Sequence, residues 1–301
     1  MAHILLTGAT GLIGRATIKA LVGAGHEVTA ISRSGRVEGA THSVTCDLLA
    51  PKQVLATVRE AKATHLVHLA WHDDAKDRWV SPANLNWMAA TFHLIQEFAR
   101  AGGTRAICAG SCAEYDWSQT ELTQLGMTEQ TPLRPHTLYG AAKAGTGLAL
   151  SHAGPALGLS IGWARIFFVY GPGEPPGRLL GDLISNLMAG KPVDCTDGLQ
   201  ERDFLHVDDL ARALVQLLGS EATGAINIGS GIATPVRDLI EEVAKQLDRR
   251  DLIRLGAIPR TANDPARLAA DVTRLHHETG FLPHHDIASG VAAVLAAERP
   301  G

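Results

Sequence analysis

The chain has 301 residues, 46% hydrophobic and 19% charged: enough apolar material for one large domain, or a core domain with a smaller lobe, and too much for a disordered chain. Lys and Arg number 27 against 31 Asp and Glu, a net charge of -4, which lacks the basic footprint of a nucleic-acid binder. The 31 glycines and 14 prolines follow no fixed period, excluding collagen-like architectures, and four cysteines without a C-x-x-C pair read as reduced thiols of a cytoplasmic protein.

The opening MAHILLTGATGLIG is short, broken by glycine and without a basic leader, so it reads as neither a signal peptide nor a membrane span. Residues 3–7 form the first strand and 12–24 the first helix. Strands follow at 27–32 and 44–47, then a helix at 51–63. Further β-rich runs lie at 65–70, 106–110 and 159–167, separated by helices at 84–101 and 139–154. Strands alternating with helices predict a parallel sheet covered on both faces, an α/β doubly wound fold of Rossmann type. After about residue 170 the rhythm changes, with a GPGEPPG loop and helices at 179–189 and 208–218. Residues 1–170 are therefore expected to form a dinucleotide-binding domain. Residues 171–301 are expected to form mainly a substrate-binding lobe, partly interleaved with it.

The first strand runs into Thr7, Gly8, Gly11, Leu12, Ile13 and Gly14. A chain that turns from strand to helix around a pyrophosphate must bring its amides close, which side chains would prevent. A third glycine one turn later lets the helix pack on the strand. The strand–turn–helix context is what this motif requires. At the end of the second strand, a carboxylate would bond the adenosine ribose and a basic residue would accept a 2′-phosphate. The sequence offers Ser32, Arg33 and Ser34, with no acid until Glu38. The guanidinium fork fits phosphate, so NADP(H) is favoured over NAD(H), which stays an alternative.

Tyr139 and Lys143 stand four residues apart, on one face of a helix. An ammonium beside a phenol favours phenolate, and the pair can pass a proton to or from a carbonyl or alcohol oxygen. With these residues in place, the chain resembles an extended short-chain dehydrogenase/reductase of the NAD(P)-dependent epimerase/dehydratase family, whose members mostly act on nucleotide-activated sugars. The resemblance runs through TGATGLIG, Asp47-Leu48, HLA at 68–70, Asn86, PLRPHTLYGAAK, YGPG at 170–173, RDFLHVDDLA at 202–211 and Asn227-Ile228-Gly229. It implies adenine contacts from Asp47 and Leu48, and further cofactor contacts from Leu69, Ala70, Lys143, Ile166 and Phe167.

The resemblance also implies a third catalytic group on the loop after the fifth strand. Cys112 stands where the family carries Ser or Thr, and a thiol is a weak donor; either Ser111 takes the role or Tyr139 carries most of the work. Cys112 as a nucleophile ranks low, because no basic partner is near it in sequence. Dehydratases resembling this chain carry Asp then Glu, and here Ala113 precedes Glu114, which argues against dehydration. Glu114 is either a substrate acceptor in the catalytic group or a cap of its loop. Phe168 replaces the Asn of related epimerases; some ketosugar reductases carry an aromatic there. Arg202 aligns with a family arginine for the nucleotide diphosphate, and Arg178 and Arg260 are further candidates, with surface charge as the alternative. Asp208 and Asp209 read as helix caps. The 14 histidines show no metal-binding spacing, so no metal is expected.

The leading expectation is an NADPH-dependent reductase of a keto group, the 4-keto group of a nucleoside-diphosphate 6-deoxy-sugar. The alternatives are an NAD-retaining epimerase, a reductase of a non-sugar ketone, and a non-catalytic NADP-binding regulator. Neither a nucleic acid nor a membrane is an expected partner. A homodimer through the 84–101 and 139–154 helices is expected, with small residues Ala141, Ala142, Ala144, Gly145 and Ala149 on the second of them.

Overall fold

A computed structural model of the chain describes residues 1–72, 74–118, 126–261 and 264–298. The chain begins β1 (His3–Thr7), α1 (Leu12–Gly23), β2 (Glu27–Ser32), β3 (His42–Thr45), α2 (Pro51–Ala61), β4 (His65–His68), α3 (Ala83–Arg100), β5 (Arg105–Ser111), α4 (Leu138–Leu157) and β6 (Ser160–Ile166). It continues through β7 (Phe168–Tyr170), α5 (Leu179–Met188), β8 (Val193–Asp194), β9 (Glu201–His206), α6 (Val207–Leu218) and β10 (Gly224–Ile228). The last elements are β11 (Ala233–Pro235), α7 (Val236–Gln246), β12 (Ile253–Arg254), β13 (Arg267–Leu268), α8 (Thr273–Thr279) and α9 (Ile287–Glu298).

Seven parallel strands form the main sheet in the order β10-β6-β5-β4-β1-β2-β3. Ile4, Leu5 and Leu6 of β1 are all fully buried, as a strand covered on both faces requires. Ile4 and Leu6 join Ile18 of α1 and Leu214 of α6 in one core layer. Leu5 faces the other way, into a layer with Val54 of α2, Leu94 of α3 and Leu150 of α4. Strand order reverses between β1 and β4, so a crevice opens at the carboxyl ends of those strands, where α/β sheets hold ligands.

Residues after 170 serve two places. β9 anchors a small sheet with β7, β11 and β13, and α5, α7 and α9 pack into a third core around Leu183, Leu239 and Val294. In contrast, α6 and β10 return to the main sheet. The third strand lies two residues earlier than the sequence suggests, and α4 runs past Pro155 to stop at Gly158, where φ is +66°. No described helix is long and apolar enough to cross a membrane.

Candidate active site

The turn from β1 into α1 is built for close approach. Gly8 has φ +71°, and a Cβ there would stand 2.8 Å from the backbone of Leu69 and Ala70. A Cβ on Gly14 would fall 2.1 Å from the Gly8 carbonyl oxygen, so Gly14 is required by helix–loop packing. Gly11 differs: its Cβ would meet protein only at 3.4 Å. Gly11 is also the N-cap of α1 and supplies no side-chain cap. The first amides of α1, those of Leu12 and Ile13, thus face the crevice at the positive end of the helix dipole, which suits a pyrophosphate. The loop fits the dinucleotide that the sequence calls for.

Thr7 does not face the crevice as expected of a cofactor contact. It is fully buried; its hydroxyl lies 2.7 Å from Nδ1 of His68 and accepts from the Ala70 amide at 3.2 Å, locking the ends of β1 and β4 together. The other ring nitrogen of His68 lies 2.9 Å from the Thr91 hydroxyl of α3. Burial, with the Lys143 ammonium nearby, pushes His68 down to about 3 from 6.5. Unfolded, His68 gains its proton near pH 6.5, while the folded chain refuses it until about pH 3. Its contribution to stability is therefore complete above pH 6.5 and falls by about 1.4 kcal/mol for each pH unit below that. Melting temperatures measured across this range should fall less steeply for His68→Gln than for wild type; equal slopes would clear His68 of the effect.

At the end of β2, Ser32 turns inward and its hydroxyl donates to the Gly35 carbonyl at 2.7 Å, so it is not available to a phosphate as expected. Arg33 is exposed and makes no hydrogen bond or ion pair among the described residues. Asp47 accepts from the Leu49 amide at 3.0 Å. The Leu48 side chain is in the core with Val54 and Val58, which leaves its backbone as the part able to meet an adenine. Ala70 is half-buried beside the glycine loop.

Beyond the loop, a cleft of about 730 Å³ runs from Ile13 and Leu69 past Tyr139 and Lys143 to Arg178 and Arg202. Ile166, Phe167 and Phe168 also line it. α4 starts from a Thr137 N-cap, whose side chain accepts from the Gly140 amide, and this presents Tyr139 in the first turn. Tyr139 packs edge-on against Trp79, ring centres 5.4 Å apart. Lys143 is buried and donates to the Ala109 carbonyl at 2.7 Å. Its ammonium lies 5.9 Å from the centre of the Tyr139 ring and 3.8 Å from that of Trp71. Sequence reasoning missed both tryptophans; the one available signal was a rare, large aromatic directly after the HLA of the fourth strand.

The loop after β5 corrects one expectation. Ser111 and Cys112 reach the cleft, but Glu114 is fully buried behind them. Glu114 accepts from the Ser111 amide at 2.7 Å, from Trp163 Nε1 at 2.9 Å and from Arg165 Nε at 2.8 Å. Ser111 Oγ in turn accepts from the Ala113 amide, completing a capping box of the Ser-x-x-Glu type. Glu114 is thus the loop's cap and reaches no substrate. Burial raises its pKa, and Arg165 opposes the rise. Cys112 lines the cleft but is nearly buried: burial pushes its thiol up to about 12, which removes the thiolate that a nucleophile needs.

On the lobe side, Phe168 packs edge-on against Phe204, and the Arg202 guanidinium stands 5.5 Å from the Phe168 ring centre. Arg202 donates to the carbonyls of Glu201 and Pro265 and is paired with Asp264, which also lines the cleft. Arg178 sits at the N-cap of α5 on the cleft wall. Arg260 does not line the cleft itself: it is exposed and pairs with Asp197 at 3.1 Å, close enough for its charge to act on Arg202. His206, not an aspartate, caps α6; Asp209 is buried and binds the amides of His284 and His285, pinning the start of the C-terminal segment.

Residues 4–229 match the NAD dependent epimerase/dehydratase family. A dTDP-glucose 4,6-dehydratase of Streptomyces griseus is 29% identical over 98% of this chain and 93% of its own. A 3-diazoavenalumate denitrifying reductase from a Streptomyces species is 31% identical, with 81% of each chain covered. Among solved structures, MoeE5 in complex with UDP-glucose and NAD aligns with a TM-score of 0.82 at 28% identity, covering 98% of both chains.

Proposed function

The chain belongs to the NAD dependent epimerase/dehydratase family, an enzyme family of extended short-chain dehydrogenase/reductase type, and on that premise we propose that it reduces a keto group with NADPH, the substrate being the 4-keto group of a nucleoside-diphosphate 6-deoxy-sugar. The observation that carries this reading is the withdrawal of Glu114 into a capping box while Tyr139 and Lys143 stay at the cleft. Dehydration needs an acid and a base that reach substrate carbons. Reduction needs one proton donor at a carbonyl oxygen.

When bound, the dihydronicotinamide supplies hydride to the carbonyl carbon. The Tyr139 hydroxyl gives its proton to the oxygen as negative charge develops there, and the Lys143 ammonium stabilises the phenolate left behind. Ser111, at the end of β5, can donate a second hydrogen bond to the same oxygen. Arg202 suits a diphosphate because its fork binds two oxygens at once. Arg178 is placed for the same anion, and Phe168 for the apolar face of a deoxy-sugar. Arg33, exposed at the end of β2 where a carboxylate would select NAD, favours a 2′-phosphate. The free, buried cysteines fit a cytoplasmic protein. The outer face of α3 and α4, with Leu85 and Leu148 exposed beside Ala141 and Ala149, fits a homodimer; Ala142 and Ala144 pack inward instead.

NADPH at a hundred times its dissociation constant should add about 2.7 kcal/mol of stability and raise the melting temperature by about 4 °C for a chain of this size. NADH at the same concentration should raise it less, and Arg33→Ala should remove the difference. Oxidation of NADPH by a 4-keto-6-deoxy sugar nucleotide then tests the reaction. A second reading, an NAD-retaining nucleotide-sugar epimerase, is favoured by the NAD in MoeE5. NAD carried through purification, with no NADPH oxidation, would establish that reading in place of ours.

A further inference from the structure

The Lys143 ammonium is held from two sides. It donates to the Ala109 carbonyl of β5, and the face of the Trp71 indole covers it at 3.8 Å. Trp71 is itself fixed: Nε1 donates to Oδ1 of Asn84 at 2.8 Å. Asn84 is fully buried and donates to the carbonyls of Arg78 and Ser81 at 2.8 and 2.9 Å. A rigid path therefore leads from the start of α3, through an amide and an indole, to the ammonium.

Several of the described groups around Lys143 carry little charge. From β4 comes His68, kept neutral by burial, and from β5 comes Cys108, whose buried thiol is pushed up to about 12. From β6, Trp163 presents its ring at 5.9 Å. In the segment after β4, His72 pairs with Asp77 at 2.8 Å, and the Arg78 guanidinium lies over Trp79. On α4 itself the neighbour is Tyr139. The negative face of an indole attracts an ammonium. By covering one side of the ammonium, the ring also takes that side out of water, where screening would weaken its field.

We propose that Trp71 is a positioning residue for proton transfer: its indole holds the Lys143 ammonium charged and close to Tyr139, and so sets the pH at which Tyr139 yields its proton. This rests on reading Tyr139 and Lys143 as the proton-transfer pair. The experiment needs no substrate. The chain has three tyrosines, and burial pushes the ionisation of Tyr115 and Tyr170 upward. Tyrosinate absorbance between about pH 6 and pH 10 therefore reads Tyr139.

The midpoint should move up by about half a unit to one unit in Trp71→Leu, which keeps bulk but loses the aromatic face. It should move up less in Trp71→Phe, which keeps a weaker face and loses the Asn84 bond. Lys143→Met sets the full extent. If Lys143→Met moves the midpoint while the folded Trp71 variants titrate as wild type, the proposal is overturned and the pair stands. If Lys143→Met leaves the midpoint in place, the reading of the pair fails, and the role of Trp71 with it. Should Trp71→Leu not fold, a wild-type midpoint in Trp71→Phe is enough to overturn the proposal.

Discussion

Tyr139→Phe should lower turnover by about 10²–10⁴-fold, the usual worth of a positioned general acid, while NADPH still raises the melting temperature as it does in wild type. The substitution removes one hydroxyl at the cleft and keeps the ring that packs edge-on against Trp79. The backbone amide of Tyr139, which donates to the Trp79 carbonyl at 3.1 Å, is untouched. Loss of rate without loss of cofactor binding would separate chemistry from folding. Unchanged turnover would remove the enzymatic role of Tyr139 and leave a dinucleotide-binding regulator as the reading to pursue.

The second large effect distinguishes two glycines of the same loop. In Gly14→Ala the new methyl group would be 2.1 Å from the Gly8 carbonyl oxygen and 2.7 Å from the Ala9 Cα. Backbone cannot swing aside as a side chain can, so the loop must shift. Overpacking of this kind costs about 1–3 kcal/mol or more, so the melting temperature and cofactor binding should both fall. Gly11→Ala meets only the Gly8 oxygen, at 3.4 Å, and its φ of -75° suits alanine. Its melting temperature without ligand should stay near wild type, while the stabilisation by NADPH is lost. Melting curves of both variants with and without NADPH decide it. If Gly11→Ala binds NADPH normally, the pyrophosphate does not lie over that turn.

The sheet was legible where its strands are long and apolar. β1 and β2 were readable to the residue: β1 leaves the apolar run Ile4, Leu5 and Leu6, and β2 is rich in β-branched residues bounded by turn signals. β10 was not: Gly224–Ile228 is short and includes Asn227. That asparagine is fully buried, accepts from the Tyr115 hydroxyl and donates to the Met127 and Asp271 carbonyls, all partners distant in sequence. β7 and β9 escaped notice for a similar reason, since each depends on pairing with the other. At the site, the glycine loop and the Tyr139–Lys143 pair were readable because local spacing alone puts them together. Glu114 was readable both ways. Its Ser-x-x-Glu spacing is a capping-box signal, but what fixes its carboxylate is Trp163 and Arg165 on β6, which local sequence does not bring near. Trp71 needed Asn84, on a different element, to become an anchored platform.

The return of β10 to the main sheet has a consequence for how the molecule is made. β6 pairs with β10 along one edge, yet during synthesis the chain must pass through residues 167–223 before that partner exists. Until then, the nascent first half carries an open strand edge, a template for pairing with other chains. The residues that complete the edge arrive only after the cleft-lining helix α5 and the arginine-bearing strand β9 have been made. The main sheet is therefore finished by the same stretch of chain that delivers the far wall of the cleft.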